Sequence, residues 1–561
     1  MNKLIRVAFV LILITAFVLP RLVDLASFTA ADEPFWLVVG ANYYYALSHH
    51  EFENTVYEYH PAVTTMWIVT AAMLIYFPEY RGLMNGYFQQ EKTSFDTYLV
   101  EQGKDPLALL WWSRLIQTLI NLLLWFTAFL LLKRILSDGW AALAVILFAS
   151  FAPYLFGQSR MLNHESMLAL FSLNAILAIM VYLFHGRKPV YLVLSALAAA
   201  LANLTKSSAI VLLPVVGLIL FIKYFSDWRM QKKTLIWISS SMGTFLAWLS
   251  MVVAFYFIIW PGMWVAPGKM IHEVYGNAFS YAFFGSRLSV SSGLEPAAIN
   301  LATAFQSFLS ILISIAWRTS PLTWIGLGLA IGALFIGKGQ DLLPLVNWLV
   351  VFLLIAAISS ISMFALISGR DQPHYVMLAY VCFETIAGLG WVFAFRWLGS
   401  RFAMLGSSFV QASIFGALVA IQITGLIGFQ PYFYTYYNPI LRLANAGWYP
   451  RFFYGERMEA AAAYMSAKPD AQFTTALVYF GRSFSYYYPG DTLVFKPVFF
   501  EDRQQLQGVL HNSDYLVMYS GLQERLPLLK DMTPEHIIPL NGRPYVEIYR
   551  VSDVPPQYFA N

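Results

Sequence analysis

The sequence predicts a polytopic α-helical membrane protein that ends in a small α/β domain. Of its 561 residues, 59% are hydrophobic and 12% are charged, whereas a soluble domain carries roughly 25% charged residues. Apolar stretches of roughly 20 residues recur along most of the chain, and each is long enough to cross a hydrocarbon layer of about 30 Å. From about residue 430, short strand-like runs and polar turns replace these stretches.

The basic clusters order the membrane segments, because Lys and Arg accumulate in cytoplasmic loops. Clusters at Lys133-Arg134, Arg187-Lys188 and 223–233 end or follow apolar segments. With these on the cytoplasmic side, we expect about eleven spans, in a range of roughly ten to thirteen, with Asp32-Glu33 and the C-terminus outside. The expected spans are 4–22, 109–132, 140–156, 166–184, 189–204, 208–223, 234–259, 321–336, 342–362, 375–395 and 404–427.

Three apolar segments have more than one interpretation. Segments 62–77 and 299–317 are assigned to the membrane surface, because that keeps the basic clusters on one side and interfacial helices have similar lengths. Segment 4–22 has the alternative of a cleaved signal peptide. Its apolar run continues through Leu19, beyond the roughly 7–15 residues of a usual signal core, which favours an uncleaved span.

We expect a transmembrane domain over 1–429, with a first outer loop over 24–108, and an extracytoplasmic α/β domain over 430–561. The strand-like runs of the second domain are TTALVYF, TLVFKPVFF, YLVMY and YVEIYRV, and ERMEAAAAYMSA is typical of an amphipathic helix. The net charge of +4 is spread between apolar segments and does not indicate nucleic-acid binding. The single cysteine, Cys382, rules out an intramolecular disulfide.

Charged and polar side chains from several separate loops converge on the predicted outer side. A charge at the centre of a membrane helix costs roughly 2.5–3.5 kcal/mol, so charges that remain beside spans are functional candidates. The candidates are Asp32, Glu33, His60, Arg160, His164, Glu165, Lys206, Arg370 and Asp371. Their convergence predicts one site at the outer membrane border.

Simpler interpretations exist for several of them. Asp32 and Glu33 could cap a helix that begins at Pro34, and Lys206 could extend to the membrane interface. The run His49-His50-Glu51-Phe52-Glu53 has the composition of a metal site but the spacing of none, which favours a solvated loop.

The order of the motifs resembles that of the phospholipid-carrier-dependent glycosyltransferases of the type C membrane fold, which include protein O-mannosyltransferases and aminoarabinose lipid A transferases. Asp32-Glu33 is similar to their acidic pair, and Tyr59-His60-Pro61-Ala62 with Trp67 stands where many members have Glu-Lys-Pro-Pro and a Trp. The other matching segments are SRMLNHESMLALFSLNAIL (159–177), LANLTKSSAIVLLP (201–214), SGRDQPHYVMLAY (368–380) and FYTYYNPIL with YGERMEAAAAYM.

The sequence departs from the family pattern at several positions. Glu165 stands where Asp is common, His60 where Lys is common, and Ser207 where Gly is common. Gln372-Pro373-His374 replaces the usual Arg-Tyr, so the comparison is weakest at Arg370.

The resemblance implies an inverting enzyme that transfers one sugar from a polyprenyl-phosphate carrier to a protein, glycan or lipid acceptor outside the cytoplasm. Asp32 is the expected general base. Glu33 and Glu165 are expected to orient the substrates. The expected phosphate-binding residues are Lys206, Arg370, His60 and Arg160. The expected sugar- or acceptor-binding residues are Trp36, Tyr59, Trp67 and His164.

No metal ligands are assigned, and a divalent-cation requirement stays open. The lipid-linked sugar is a co-substrate, and the expected location is the bacterial cytoplasmic membrane. The aromatic residues have the alternative of an interfacial belt. The alternative function is a multi-span transporter or lipid flippase, although transporters often show two matching halves, which this sequence lacks.

Overall fold

The computed structural model describes residues 14–82, 86–89, 94–231, 236–290, 300–336, 345–367, 370, 372–444 and 453–559. The first expected span begins outside these residues and continues as a helix over 14–22, and Asp371 also lies outside them.

Most of the described chain is helical. Eight helices among the described residues are long and apolar enough to cross a membrane, and we conclude that the chain is an integral membrane protein. The helices through the first half are Glu33–Ser48, Val63–Tyr76, Ser94–Glu101, Pro106–Leu136, Gly139–Ser150, Pro153–Gln158, Glu165–Phe184, Pro189–Thr205, Leu212–Gln231, Ile236–Ile259, Gly262–Val265, Pro267–Ile271 and Asn277–Phe284. Those that follow are Leu301–Arg318, Pro321–Ile336, Val346–Ala365, Met377–Arg401, Ser408–Ile427, Pro439–Ala444, Met458–Ser466, Gly481–Ser485 and Arg503–Leu510.

The number of crossings between Asp32 and Tyr454 must be even, because these two residues are in contact. The Tyr454 hydroxyl donates to Asp32 Oδ2 at 2.7 Å, so both lie on one side of the membrane. Within the described part of this stretch, ten helices or helix pairs meet this condition: Pro106–Leu136, Gly139–Ser150 with Pro153–Gln158, Glu165–Phe184, Pro189–Thr205, Leu212–Gln231, Ile236–Ile259, Pro321–Ile336, Val346–Ala365, Met377–Arg401 and Ser408–Ile427.

Two apolar helices are left out of this set. Val63–Tyr76 has 14 residues, about 21 Å of helix, and is therefore shorter than every helix or helix pair in the set and well short of about 30 Å of hydrocarbon. Leu301–Arg318 is long enough, but the carbonyl of Trp317 near its C-terminal end accepts from the backbone N–H of Asn438 at 2.7 Å, which places that end on the Asp32 side. The described residues that precede the helix also lie on that side, because Arg287 forms an ion pair with Glu58.

The C-terminal region forms one mixed sheet of five strands: β1 Thr475–Val478, β2 Asp491–Val494, β3 Tyr515–Tyr519, β4 His536–Leu540 and β5 Arg543–Arg550. Their order in the sheet is β2-β1-β3-β5-β4. Strand β1 is parallel to its neighbours β2 and β3, and β5 is antiparallel to its neighbours β3 and β4.

The sheet differs from the sequence expectation in two places, and proline accounts for both. The run TLVFKPVFF is a strand only as far as Val494, because Pro497 begins a 3₁₀ turn and cannot donate to a strand ladder. The unexpected strand β4 carries Pro539 next to a register shift at the sheet edge, a position where strands tolerate proline.

The C-terminal region is fastened to the first outer loop near Asp32. The backbone N–H of Ala31 donates to the carbonyl of Tyr454 at 3.0 Å, and the hydroxyls of Thr29 and Tyr487 lie 3.1 Å apart. The core of the sheet begins at Met458, whereas residues Tyr432, Phe433, Tyr434 and Tyr454 pack into the helical core. The domain division at 429/430 stays a prediction.

Candidate active site

The acidic pair Asp32-Glu33 divides at the start of helix Glu33–Ser48, where the two side chains have different surroundings. Asp32 precedes the helix, and its side chain makes no capping hydrogen bond to the helix. Glu33 is 1% exposed, whereas Asp32 is exposed. Helix capping therefore does not explain the pair.

Glu33 is held in a buried ion pair with Arg114. Arg114 Nε donates to Glu33 Oε1 at 2.7 Å, and a second guanidinium nitrogen donates to Oε2. The backbone N–H groups of Leu162 and Ala30 also donate to the Glu33 carboxylate, at 2.7 and 2.6 Å. Glu33 thus joins the first outer loop to two other segments, and its acceptor positions are occupied by protein donors.

Asp32 accepts a hydrogen bond at Oδ2 from the Tyr454 hydroxyl at 2.7 Å. Although the Asp32 side chain is open to solvent on one side, the protein atoms around the rest of the carboxyl desolvate it in part and raise its pKa above its ordinary value, while the Tyr454 bond and the charge of Lys206 lower that pKa in part. A raised pKa makes the ionised carboxylate a stronger base.

Lys206 and Glu165 form a second buried ion pair beside Asp32. Lys206 interrupts two membrane helices in an extended conformation, and its Nζ lies 2.7 Å from Glu165 Oε1. His374 Nε2 lies 4.0 Å from the same carboxylate oxygen. Lys206 Nζ also lies 4.8 Å from the centre of the Tyr375 ring, which connects this pair to the next cation.

That cation is Arg370, which lies among tyrosines. Its Nη1 lies 3.2 Å from the Tyr59 hydroxyl and 3.3 Å from the Tyr375 hydroxyl. The guanidinium carbon is 5.4 Å from the centre of the Tyr281 ring. These partners are neutral, so the hydrogen bonds do not cancel the charge of Arg370.

His60 and His164 complete the cluster as neutral imidazoles. Burial and the charge of Lys206 lower the pKa of His60 well below its ordinary value, and they lower that of His164 to about 3. His60 Nδ1 lies 3.2 Å from the Ser207 hydroxyl, and the His164 ring packs at 4.1 Å against the Trp36 ring. His60 can therefore form hydrogen bonds in this site but does not add a positive charge at neutral pH.

The structure brings most of the predicted site residues together and leaves three outside the cluster. Glu33 is occupied by Arg114, as described above. Arg160 donates to the carbonyl of Val23 and lies 4.8 Å over the Phe433 ring. Trp67 donates to the carbonyl of Ile259 at 3.3 Å and is 39% exposed on the bundle surface.

Tyr454, Tyr375, His374 and Arg114 belong to this region but are not among the site residues predicted from the sequence. Tyr375 and His374 lie within SGRDQPHYVMLAY, and Tyr454 opens YGERMEAAAAYM, so both matching segments contained the signal. Arg114 lies inside an apolar run and is 1% exposed, and a buried arginine in such a run calls for a carboxylate partner. Among the described residues, no group of three His, Cys, Asp or Glu side chains has the arrangement of a metal site.

The cluster combines an accessible carboxylate, two cations on separate elements and aromatic rings near the ends of apolar helices. A carboxylate of this kind can take a proton, and the cations can stabilise an anionic leaving group.

Comparisons with known proteins give similarities at the level of structure. No family model matches the chain, and no curated protein matches it. The structure is similar to that of the archaeal oligosaccharyltransferase AglB from Archaeoglobus fulgidus, solved in complex with an inhibitory peptide and a dolichol-phosphate, with 13% identity and a TM-score of 0.41. That match covers 86% of this chain and 66% of AglB, so the chain spans just under two thirds of its length.

The structure is also similar to that of ArnT from Cupriavidus metallidurans bound to undecaprenyl phosphate, with 13% identity and a TM-score of 0.49. This match covers 97% of this chain and 98% of ArnT. The similarity to ArnT is one of overall structure and extends over nearly the whole length of both chains.

Proposed function

We propose that the protein is a membrane glycosyltransferase that transfers one sugar from a polyprenyl-phosphate carrier to an acceptor on the extracytoplasmic side. The observation that carries this proposal is the charge cluster in which the accessible Asp32 carboxylate is close enough to Lys206 to feel its charge, and Tyr375 connects Lys206 to Arg370. A carrier with a lipid tail and a phosphate headgroup needs a site at the membrane border. Pairs of charges deeper in the bundle would suit a transporter better.

In the proposed reaction, Asp32 takes the proton from the acceptor hydroxyl or amine. The acceptor atom forms a bond to the anomeric carbon, the bond from that carbon to the phosphate oxygen breaks, and the electron pair leaves with the polyprenyl phosphate. Positive charge develops at the anomeric carbon during the transfer, as in other glycosyl transfers. A single displacement inverts the anomeric configuration.

Asp32 suits the role of base because Tyr454 occupies one of its oxygens and fixes the carboxylate. Oδ1 is not used by that bond and is the oxygen we assign to the acceptor proton. A positioned general base contributes roughly 10²- to 10⁴-fold to a rate.

Lys206 and Arg370 are assigned to the leaving phosphate. Tyr375 lies next to both, with its ring against Lys206 and its hydroxyl on Arg370. A phosphate beside Tyr375 can therefore reach both cations. Charge-assisted hydrogen bonds of this kind are the strong ones, and the site offers them before the reaction begins.

The test is transfer of a labelled sugar from polyprenyl-phosphate donors by the purified full chain in detergent. We expect Asp32→Asn to lower the turnover number at least 10²-fold. The matched control is Asp24→Asn in the same loop, because Asp24 is exposed and has a φ of 55°, which Asn tolerates. Equal turnover by wild type and Asp32→Asn would remove Asp32 from the reaction, and no turnover with any donor would favour a transporter or flippase.

A further inference from the structure

A polar cavity of about 510 Å³ lies next to the candidate site. Its lining includes three tyrosine rings, Tyr57, Tyr59 and Tyr87, and two amide side chains, Asn54 and Asn277. Aromatic rings with polar groups placed between them suit a ligand that has both apolar faces and hydroxyl groups.

Apart from Tyr87, the lining residues come from 54–59 and 269–287, and the segments that carry these two groups are packed closely against each other. Trp260 Nε1 donates to the Thr55 hydroxyl at 3.0 Å. A Cβ added at Gly262 would lie 2.5 Å from Thr55 Oγ1 and 2.6 Å from Met270 Sδ, so the two segments approach as closely as a glycine allows. The cavity is therefore a preformed space between fixed walls.

The charges that line the cavity balance. Arg287 forms an ion pair with Glu58, and Lys269 Nζ donates to the carbonyl of Glu53 at 2.7 Å. Glu273 accepts from Asn277 Nδ2 at 3.1 Å. Two cations and two carboxylates leave no excess charge to attract an anion, and the density of polar groups disfavours an apolar ligand. The lining suits a neutral ligand rich in hydroxyl groups.

The cavity is joined to the candidate site by Tyr59. The Tyr59 ring lines the cavity, and its hydroxyl lies 3.2 Å from Arg370 Nη1. The sugar of the donor has to lie between the phosphate cations and Asp32, but Asp32 is not among the lining residues. A ligand in the cavity is therefore a second molecule, and in a sugar transfer that molecule is the acceptor.

We propose that this cavity binds a neutral sugar ring of the acceptor, away from the acceptor's reacting hydroxyl, so that the acceptor is a glycan or glycoside. The identification of the bound molecule as the acceptor rests on the proposed function, but the binding of a neutral saccharide can be measured without turnover. Binding of a remote part of the substrate in this way fixes the position of the reacting hydroxyl.

The experiment measures the binding of methyl glycosides of neutral disaccharides, such as mannobiose, cellobiose and chitobiose, by saturation-transfer NMR. The full chain is used in a detergent without a sugar headgroup, because a maltoside would compete. The cavity variants are Tyr87→Ala and Glu273→Gln. The control is Tyr558→Ala, because Tyr558 donates to the carboxylate of Asp531 as Tyr87 donates to that of Glu51, but lies on the sheet domain. Glucose 6-phosphate and a Ser/Thr-rich hexapeptide are the comparison ligands.

We expect at least one neutral disaccharide to bind wild type and the control equally, and both cavity variants at least ten-fold more weakly. In the transfer assay, the same variants should raise the acceptor KM at least ten-fold and leave the donor KM unchanged. Equal binding by all variants, no glycoside binding, or Tyr87-dependent binding of the phosphorylated sugar or the peptide would overturn the proposal.

The two proposals can fail separately. Sugar transfer to a peptide without any glycoside binding would overturn the cavity assignment and leave the glycosyltransferase in place. Tyr87-dependent glycoside binding by a chain that transfers no sugar from any donor would overturn the acceptor role and the glycosyltransferase together, while leaving a saccharide site.

Discussion

The adjacent carboxylates Asp32 and Glu33 should respond to amide substitution in opposite ways. Glu33 accepts from Arg114 and from two backbone N–H groups, all buried. Each Glu33 oxygen accepts from one guanidinium nitrogen of Arg114 and from one backbone N–H. In Glu33→Gln, one oxygen becomes an NH₂ group, which must face one such pair of donors whichever way the amide is turned. One backbone N–H then loses its acceptor, and Arg114 keeps its charge without a carboxylate.

The magnitude follows from the two losses. An orphaned buried N–H costs roughly 1–3 kcal/mol, and breaking a buried ion pair by removing one partner costs about 3–5 kcal/mol. The losses share one site and do not add fully, so we expect about 3–5 kcal/mol of lost stability for Glu33→Gln. In a detergent thermal-shift assay this should appear as a fall in Tm of several degrees.

Asp32→Asn should leave Tm unchanged or raise it. The folded protein holds the Asp32 pKa above its unfolded value, so ionising Asp32 destabilises the fold, and stability falls as the pH rises through the unfolded pKa towards the raised folded pKa. At neutral pH a neutral amide avoids that cost. Activity should fall at least 10²-fold in Asp32→Asn, and much less in Glu33→Gln when assayed well below its Tm.

Removing both charges of the Glu33–Arg114 pair is the control for the loss of stability in Glu33→Gln. The double variant Glu33→Leu with Arg114→Met removes both charges and should recover part of the lost Tm. Recovery should be incomplete, because the N–H groups of Ala30 and Leu162 still lack their acceptor. A wild-type Tm together with a hundred-fold activity loss in Glu33→Gln would refute the anchoring role and return Glu33 to the chemistry.

Three further variants test the surroundings of Asp32 and the second cation. Tyr454→Phe removes a hydrogen bond that favours ionised Asp32, so the acidic limb of the kcat/KM profile should move to higher pH; an unchanged profile would contradict the contact. Arg370→Gln should raise the donor KM roughly 10- to 100-fold at unchanged Tm, since a charged hydrogen bond contributes about 1.5–3 kcal/mol; a normal donor KM would remove Arg370 from the phosphate site. Gly455→Ala should lower both Tm and kcat, because Gly455 has a φ of +97° and an added Cβ would lie 2.7 Å from the Thr29 carbonyl. Wild-type Tm and kcat in thermal-shift and transfer assays would show that the close packing of Gly455 against Thr29 is not needed.

Much of the membrane fold can be predicted from hydrophobic length and charge placement. The basic clusters alone put both Asp32 and the C-terminal region on one side, and the contact between Asp32 and Tyr454 places them together. The number and the ends of the helices are harder to predict from the sequence. Residues 140–156 appear as one apolar run, but the chain breaks between Gly139–Ser150 and Pro153–Gln158, where Pro153 begins the second helix.

Some residues of the candidate site can be predicted from their local sequence, and others cannot. Charges next to membrane spans are costly, so Lys206, Glu165 and Arg370 stand out, and the structure places them in one cluster. Tyr454 does not stand out, because it is one of 34 tyrosines and its role depends on a contact 422 residues away in sequence. Arg160 has the positive charge expected of a phosphate-binding residue and lies in a loop near the site, but its side chain packs against the Phe433 ring. The position of a residue in a loop does not show whether its side chain faces the site or the protein core.

The different surroundings of Asp32 and Glu33 make the position of the first depend on the second. Glu33 fixes the backbone ahead of Asp32 by accepting from Ala30, and ties it to the segment that begins at Ser159 by accepting from Leu162. The N–H of Ala31 is fixed in turn by the Tyr454 carbonyl. Asp32 is therefore held between two anchored neighbours while its own carboxylate stays exposed. A base that must meet a substrate cannot also saturate its oxygens with protein donors, so the adjacent acid meets that structural need and leaves Asp32 available for the proton.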